Sequence, residues 1–213
     1  MAHNDLTQST IPLSTLPPAG PRTASVVHDG SAFEVSAALR HLGFDVTEGP
    51  GLSFSARYEE PRQLAILATK AGAPRPERLK DWVRELCARG TTVLAVGASI
   101  APVAELFGSR LSDGPAPASA RLADVTTEHA GLFVGSPLAF RLSLSNAPTV
   151  PCGELNSEFA TTARTRRGEM IGASHVFRPI HLLHRSVVES DELRPLVLAN
   201  LMRMVRDRGG RAF

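Results

Sequence analysis

The chain has 213 residues, 43% of them hydrophobic and 21% charged, with a formal net charge of +2. That length suits a single domain with a sizeable core. The small charge implies no nucleic-acid partner, and no apolar run reaches the ~20 residues of a membrane-spanning helix. Two cysteines, Cys87 and Cys152, form neither a disulfide framework nor a metal-ligand spacing. A reducing cytoplasm is therefore the expected compartment, with no metal and no cofactor implied.

Residues 1 to 22 are polar and carry Pro12, Pro17, Pro18 and Pro21, which predicts a loose tail ahead of one domain over residues 23 to 213. Ser25 to His28 predicts a strand, Ala32 to Leu42 a helix stopped by Gly43, and Phe44 to Thr47 the next strand. The continuous apolar run Leu64 to Ala68 predicts a buried parallel strand. A helix follows from Arg75 to Arg89, with Leu79, Trp82, Val83 and Leu86 on one face. Thr91 to Val96 and Ala101 to Phe107 repeat the strand and helix, an alternation that builds a mostly parallel sheet flanked by helices.

The second half is strand-rich. Arg121 to Val125, Leu132 to Val134, Arg141 to Leu144, Glu158 to Ala163, Glu169 to Val176 and Ile180 to His184 all read as strands. Thr165-Arg166-Arg167-Gly168 reads as a hairpin turn, which makes the basic cluster Arg164, Arg166 and Arg167 a solvated tip. Asp191 to Arg208 predicts a final amphipathic helix.

Ligands of open α/β sheets gather at the carboxyl ends of strands. Three such places are legible: the loop Thr69 to Pro74, the small-residue corner at Gly97, and His181 to Ser186 after the last strand. The corner runs Val93 to Gly108, from a β-branched strand into a helix closed by Phe107-Gly108, as in an elbow that presents a nucleophile.

Between about Ala24 and Val205 the chain resembles the class I glutamine amidotransferases, and among them the glutaminase subunits of anthranilate synthase and aminodeoxychorismate synthase. The resemblance lies in T-K-A-G-A-P at Thr69 to Pro74, A-V-G-A-S-I-A at Ala95 to Ala101, R-L-S-L-S at Arg141 to Ser145, and H-L-L-H-R-S-V at His181 to Val187. These stand where the family carries P-G-P-G-x-P, G-V-C-L-G-H-Q, R-Y-H-S-L and V-Q-F-H-P-E-S. The resemblance implies a single-domain class I glutamine amidotransferase-like, flavodoxin-like α/β fold and a chorismate-using synthase as partner.

It also implies which chemistry is missing. The family's nucleophilic cysteine falls on Gly97, its histidine on His184, and the glutamate that orients the histidine on Ser186. The substrate-holding positions fall on Lys70, Gly72, Ala101 and Ser143. A thiolate must attack the amide and a base must move the proton, so a chain with glycine at position 97 forms no γ-glutamyl thioester. The expected function is that of a pseudo-glutaminase supporting a synthase.

Two other readings stand beside it: an enzyme of altered chemistry using His184, Ser99 or Lys70, and a self-associating homodimer. Gly97-Ala98-Ser99-Ile100-Ala101 approaches the G-x-S-x-G form of serine hydrolases, although a serine at such a junction more often caps the helix. Cys152 lies in an exposed-looking loop and Cys87 in a helix interior. His181 and His184 are expected on opposite faces of a strand.

Overall fold

The computed structural model describes residues 22–28, 33–50, 63–69, 79–111, 120–145 and 149–209. The first half alternates as its apolar runs predict: β1 (Arg22–His28), α1 (Phe33–His41), β2 (Phe44–Pro50), β3 (Leu64–Thr69), α2 (Leu79–Ala88), β4 (Thr92–Gly97) and α3 (Ile100–Leu106). The second half supplies β5 (Arg121–Thr127), β6 (Ala139–Leu144), β7 (Phe159–Thr165), β8 (Met170–His175), β9 (Ile180–Leu183), α4 (Arg185–Glu189) and α5 (Leu193–Gly209).

Among the described residues nine strands form one sheet in the order β2-β1-β3-β4-β9-β8-β7-β5-β6. Pairs from β2 through β4 to β9 are parallel, and those from β9 outward to β6 are antiparallel. The change of direction follows from the connections. α1 lies between β1 and β2 and α2 between β3 and β4, while tight turns join β7 to β8 and β8 to β9, and a hairpin can return only antiparallel.

Alternating side chains divide the core between two faces. Ala24, Ile66, Leu94 and Leu183 pack with α1, α4 and α5 on one side. Ala65, Leu67, Val93, Ala95 and Leu182 pack with α2 and α3 on the other. β3 and β4 are thus covered on both faces, which is why they read as unbroken apolar runs.

Three expectations change. Leu132 to Val134 is no strand; Gly131–Phe133 is a 3-10 turn. Leu132 and Phe133 are buried against the α5 side of the core, and the Asn200 side chain donates to the carbonyls of Leu132 and Val134 at 2.9 and 2.8 Å. Those carbonyls are satisfied by a side chain where a strand would need a ladder. The strand expected to reach His184 stops at Leu183, because His184 opens the short helix α4. Arg22, placed at the end of the tail by its composition, is the first residue of β1. The rest of the Pro-rich tail, and Arg75 to Arg78 of the expected helix, lie outside the described residues.

The packing of the 3-10 turn on the sheet makes a sharp prediction. A Cβ at Gly172 would stand 2.3 Å from Cε2 of the fully buried Phe133 and 3.2 Å from Oγ1 of Thr162. Gly172→Ala is expected to cost about 3 kcal/mol, the upper end of ordinary overpacking. The measurement is the urea midpoint at constant slope, and an unchanged midpoint would refute this packing.

Candidate functional site

All six residues of β4 are buried, and the strand ends at Gly97 in a turn closed by the Ser99 amide donating to the Val96 carbonyl at 3.4 Å. Gly97 stands at the first corner of this turn with φ +64°, a conformation that L side chains adopt only with strain. α3 follows at once. Ser99 occupies its N-cap position and is buried, but its hydroxyl makes no cap hydrogen bond, contrary to the expected capping role. The reason is local: Ser99 has helical φ −71° and ψ −14°, whereas a capping residue sits in the β region, where its oxygen reaches back to the next amides. Ala101 is half-buried in the first turn of α3.

Register brings the other places alongside. Thr69 pairs with Gly97, so Lys70 and Gly72 follow directly from the end of β3, although both lie outside the described residues. Val96 pairs with Leu183 in parallel, which leaves Gly97 and His184 as the next residues of neighbouring strands. The corner and the histidine, 87 positions apart in the chain (184 minus 97), thus stand side by side at the carboxyl end of two adjacent central strands.

His184 is 1% exposed. Its backbone amide donates to the Ile171 carbonyl at 2.8 Å, and its ring Nδ1 accepts the Ser186 amide at 3.2 Å, making the histidine the N-cap of α4. An amide N–H can only donate, so Nδ1 presents its lone pair and Nε2 carries the proton. Nε2 is buried and has no hydrogen-bond partner among the described residues. Burial pushes the ring down to about 4, opposed by the charges of Glu189 and Glu169 and assisted by Arg121. The imidazole is therefore neutral near pH 7 and offers a proton at Nε2. A base acting there would need a free lone pair.

Ser186 is also buried. Its hydroxyl accepts the Ser145 amide at 2.6 Å and lies 3.2 Å from the Ser145 hydroxyl, so it ties the end of β6 to α4. Ser143 is exposed on β6 opposite Leu122. It is Ser145, two residues on, that reaches the site.

Sequence reasoning missed Ser145, Arg121 and Glu169. Arg121 pairs with Glu169, whose carboxylate also accepts from the Thr165 hydroxyl at 2.9 Å. The Arg121 hydrogen bond holds that carboxyl below its ordinary range. Glu169 precedes β8 and Arg121 opens β5, and only the hairpin registers of the outer strands bring them together. No local pattern carries that signal.

Cys152 is half-buried in a 3-10 turn, where a freely exposed loop was expected. Burial raises the thiol pKa of both Cys152 and Cys87, which disfavours the thiolate that a nucleophile needs. His181 lies on β9 with Nδ1 2.9 Å from the Ser174 hydroxyl, and His175 lies at the far end of β8. Among the described residues no group of three His, Cys, Asp or Glu side chains stands together as a metal site, and no helix is long and apolar enough to cross a membrane.

No family profile matches the sequence, and no curated protein does. Solved structures do match. A protein from Thermoplasma acidophilum described as part of a GMP synthase is similar at TM-score 0.68 and 16% identity, over 91% of this chain and 98% of that one. A glutamine amidotransferase from Thermotoga maritima is similar at TM-score 0.65 and 13% identity, over 90% of this chain and 84% of that one. A ThuA-like protein from Bacteroides uniformis is similar at TM-score 0.66 and 13% identity, over 90% and 94%. The fold is class I glutamine amidotransferase-like: an α/β fold whose central sheet is parallel in its first half and antiparallel in its later strands.

Proposed function

We propose that the chain is a pseudo-glutaminase, an amidotransferase-like protein that binds and supports a chorismate-using synthase of the anthranilate or aminodeoxychorismate type. The observation that carries this reading is the glycine at the tip of the elbow, at the positive-φ position where the family resemblance expects a cysteine. Amide hydrolysis through a thioester requires that sulfur, a base and an oxyanion site. Here the corner keeps its shape without a nucleophile.

The surroundings support the same reading. Nδ1 of His184 is taken by the Ser186 amide, and its Nε2 is a sealed donor. The hydroxyl at position 186 holds Ser145, where the family glutamate would orient the histidine. An altered chemistry built on His184 as a base is disfavoured by the same tautomer. Ser99, buried beside the corner, would need that same base to activate it.

Purified chain incubated with glutamine is expected to release no glutamate above background, with or without a synthase. A glutamine-analogue electrophile, which needs a pocket thiol, is expected to leave the protein unmodified by mass spectrometry. Glutamate release abolished by His184→Ala would overturn the proposal. Its partner half is tested by co-purification: capture of a chorismate-using synthase supports it, and a stable homodimer that excludes the synthase refutes it.

A further inference from the structure

The tip between β8 and β9, Val176 to Pro179, lies at the opposite end of the sheet from Gly97. The Pro179 carbonyl accepts the amide of Val93, near the start of β4, at 2.7 Å. Val176 is 57% and Phe177 78% exposed, yet the Phe177 amide is held by a buried ring. His175, the last residue of β8, accepts the Phe177 amide on Nδ1 at 3.1 Å. Its Nε2 stands 3.1 Å from Oε2 of Glu158, a carboxylate placed to pair with the ring when it is protonated.

The ring is enclosed edge-on by Phe107 and Phe159, each with its centroid 5.1 Å away, and by Phe177 at 6.3 Å. Arg178 lies over Phe107 at 5.5 Å. Between the backbone ties of Val176 and Pro179, the Phe177 amide is held by a bond that depends on which nitrogen of one imidazole carries a proton.

We infer that His175 is a proton-operated latch on the β8–β9 tip. With the ring neutral, the lone pair of Nδ1 holds the Phe177 amide. A proton taken from solvent at Nδ1 sets two donors face to face and breaks that bond. The imidazolium stays with Glu158, whose carboxylate now meets a full positive charge, and the Phe177 amide is released while Val176 and Pro179 keep their own backbone bonds. This device is independent of the chemistry at the elbow.

The charged groups facing the ring are Glu158, from the turn before β7, and Arg178, from the tip itself; the end cap of α3 and the start of β7 contribute the uncharged rings of Phe107 and Phe159. Burial opposes protonation most strongly, Arg178 opposes it further, and Glu158 favours it, leaving the pKa below the ordinary histidine range. The latch is therefore closed at neutral pH and opens in acid. Val176 provides an internal reference, because its amide donates to the Glu158 carbonyl at 2.8 Å and owes nothing to the ring.

The test is amide exchange of the full chain by NMR across the His175 titration, corrected for the intrinsic pH dependence of exchange. Phe177 is expected to lose roughly tenfold in protection, the scale of one hydrogen bond, while Val176 keeps its own. Glu158→Gln should move the midpoint to lower pH, and Arg178→Met to higher pH. Protection of Phe177 that ignores the ring titration would overturn the inference. So would simultaneous loss at Val176 and Phe177, or an upward shift in Glu158→Gln.

Discussion

Gly97→Cys is expected to return a sulfur to the elbow without returning glutamine hydrolysis, and to destabilise the protein by roughly 1–3 kcal/mol, the strain of a non-glycine residue held at positive φ. The backbone at Gly97 has φ +64° and is pinned between buried β4 and α3, so a side chain there cannot relax the turn without moving both. For a chain of this size the loss corresponds to roughly 2–4 °C in Tm per kcal/mol. Catalysis stays absent for a separate reason. The new thiol would find a neutral His184 whose Nδ1 is already bonded and whose Nε2 offers a proton. Calorimetry and a glutamate assay on the one variant test both halves: an unchanged Tm refutes the strain argument, and glutamate release refutes the account of His184.

The second large effect is on acid stability. His184 is neutral when folded and titrates near 4, whereas in the unfolded chain it takes up a proton below its ordinary value of 6.5. Because the folded pKa is depressed, the unfolded state binds more protons between these values, and stability falls as pH drops from 6.5 towards 4. The shift amounts to about 3 kcal/mol by pH 4. His184→Asn removes the titration while keeping an acceptor for the Ser186 amide, since asparagine is itself a strong N-cap. Its urea-derived stability should therefore fall by about 3 kcal/mol less than that of the parent protein between pH 7 and pH 4. Parallel profiles would show that His184 is not the buried neutral group described here.

Much of the fold is legible along the chain. β3 and β4 declare themselves as apolar runs buried on both faces, and Gly43 and Gly90 stop α1 and α2. The hairpin at Thr165 to Gly168 is equally local, with Gly168 at φ +79°. Leu132 to Val134 misleads because short apolar runs carry no period: the deciding groups are Asn200, 66 to 68 residues away, and the core face beneath. α4 is missed for a similar reason, since its five residues are too few for helical periodicity and its cap is a histidine.

The sequence by itself determined the identity of the atoms at the elbow: a glycine at position 97 carries no nucleophile in any fold, because reactivity there belongs to the residue. It also set the alternation of strands and helices, which follows from local spacing of apolar side chains. The tertiary structure alone decided the state of His184 and of its neighbours. Placing β9 beside β4 sets the histidine next to the corner and buries it, and the α4 turn spends its Nδ1 on the Ser186 amide. Bringing β6 to α4 joins Ser145 to Ser186. Protonation, tautomer and hydrogen-bond partner depend on the field and packing of segments far apart in the chain, and those exist only once the sheet has closed.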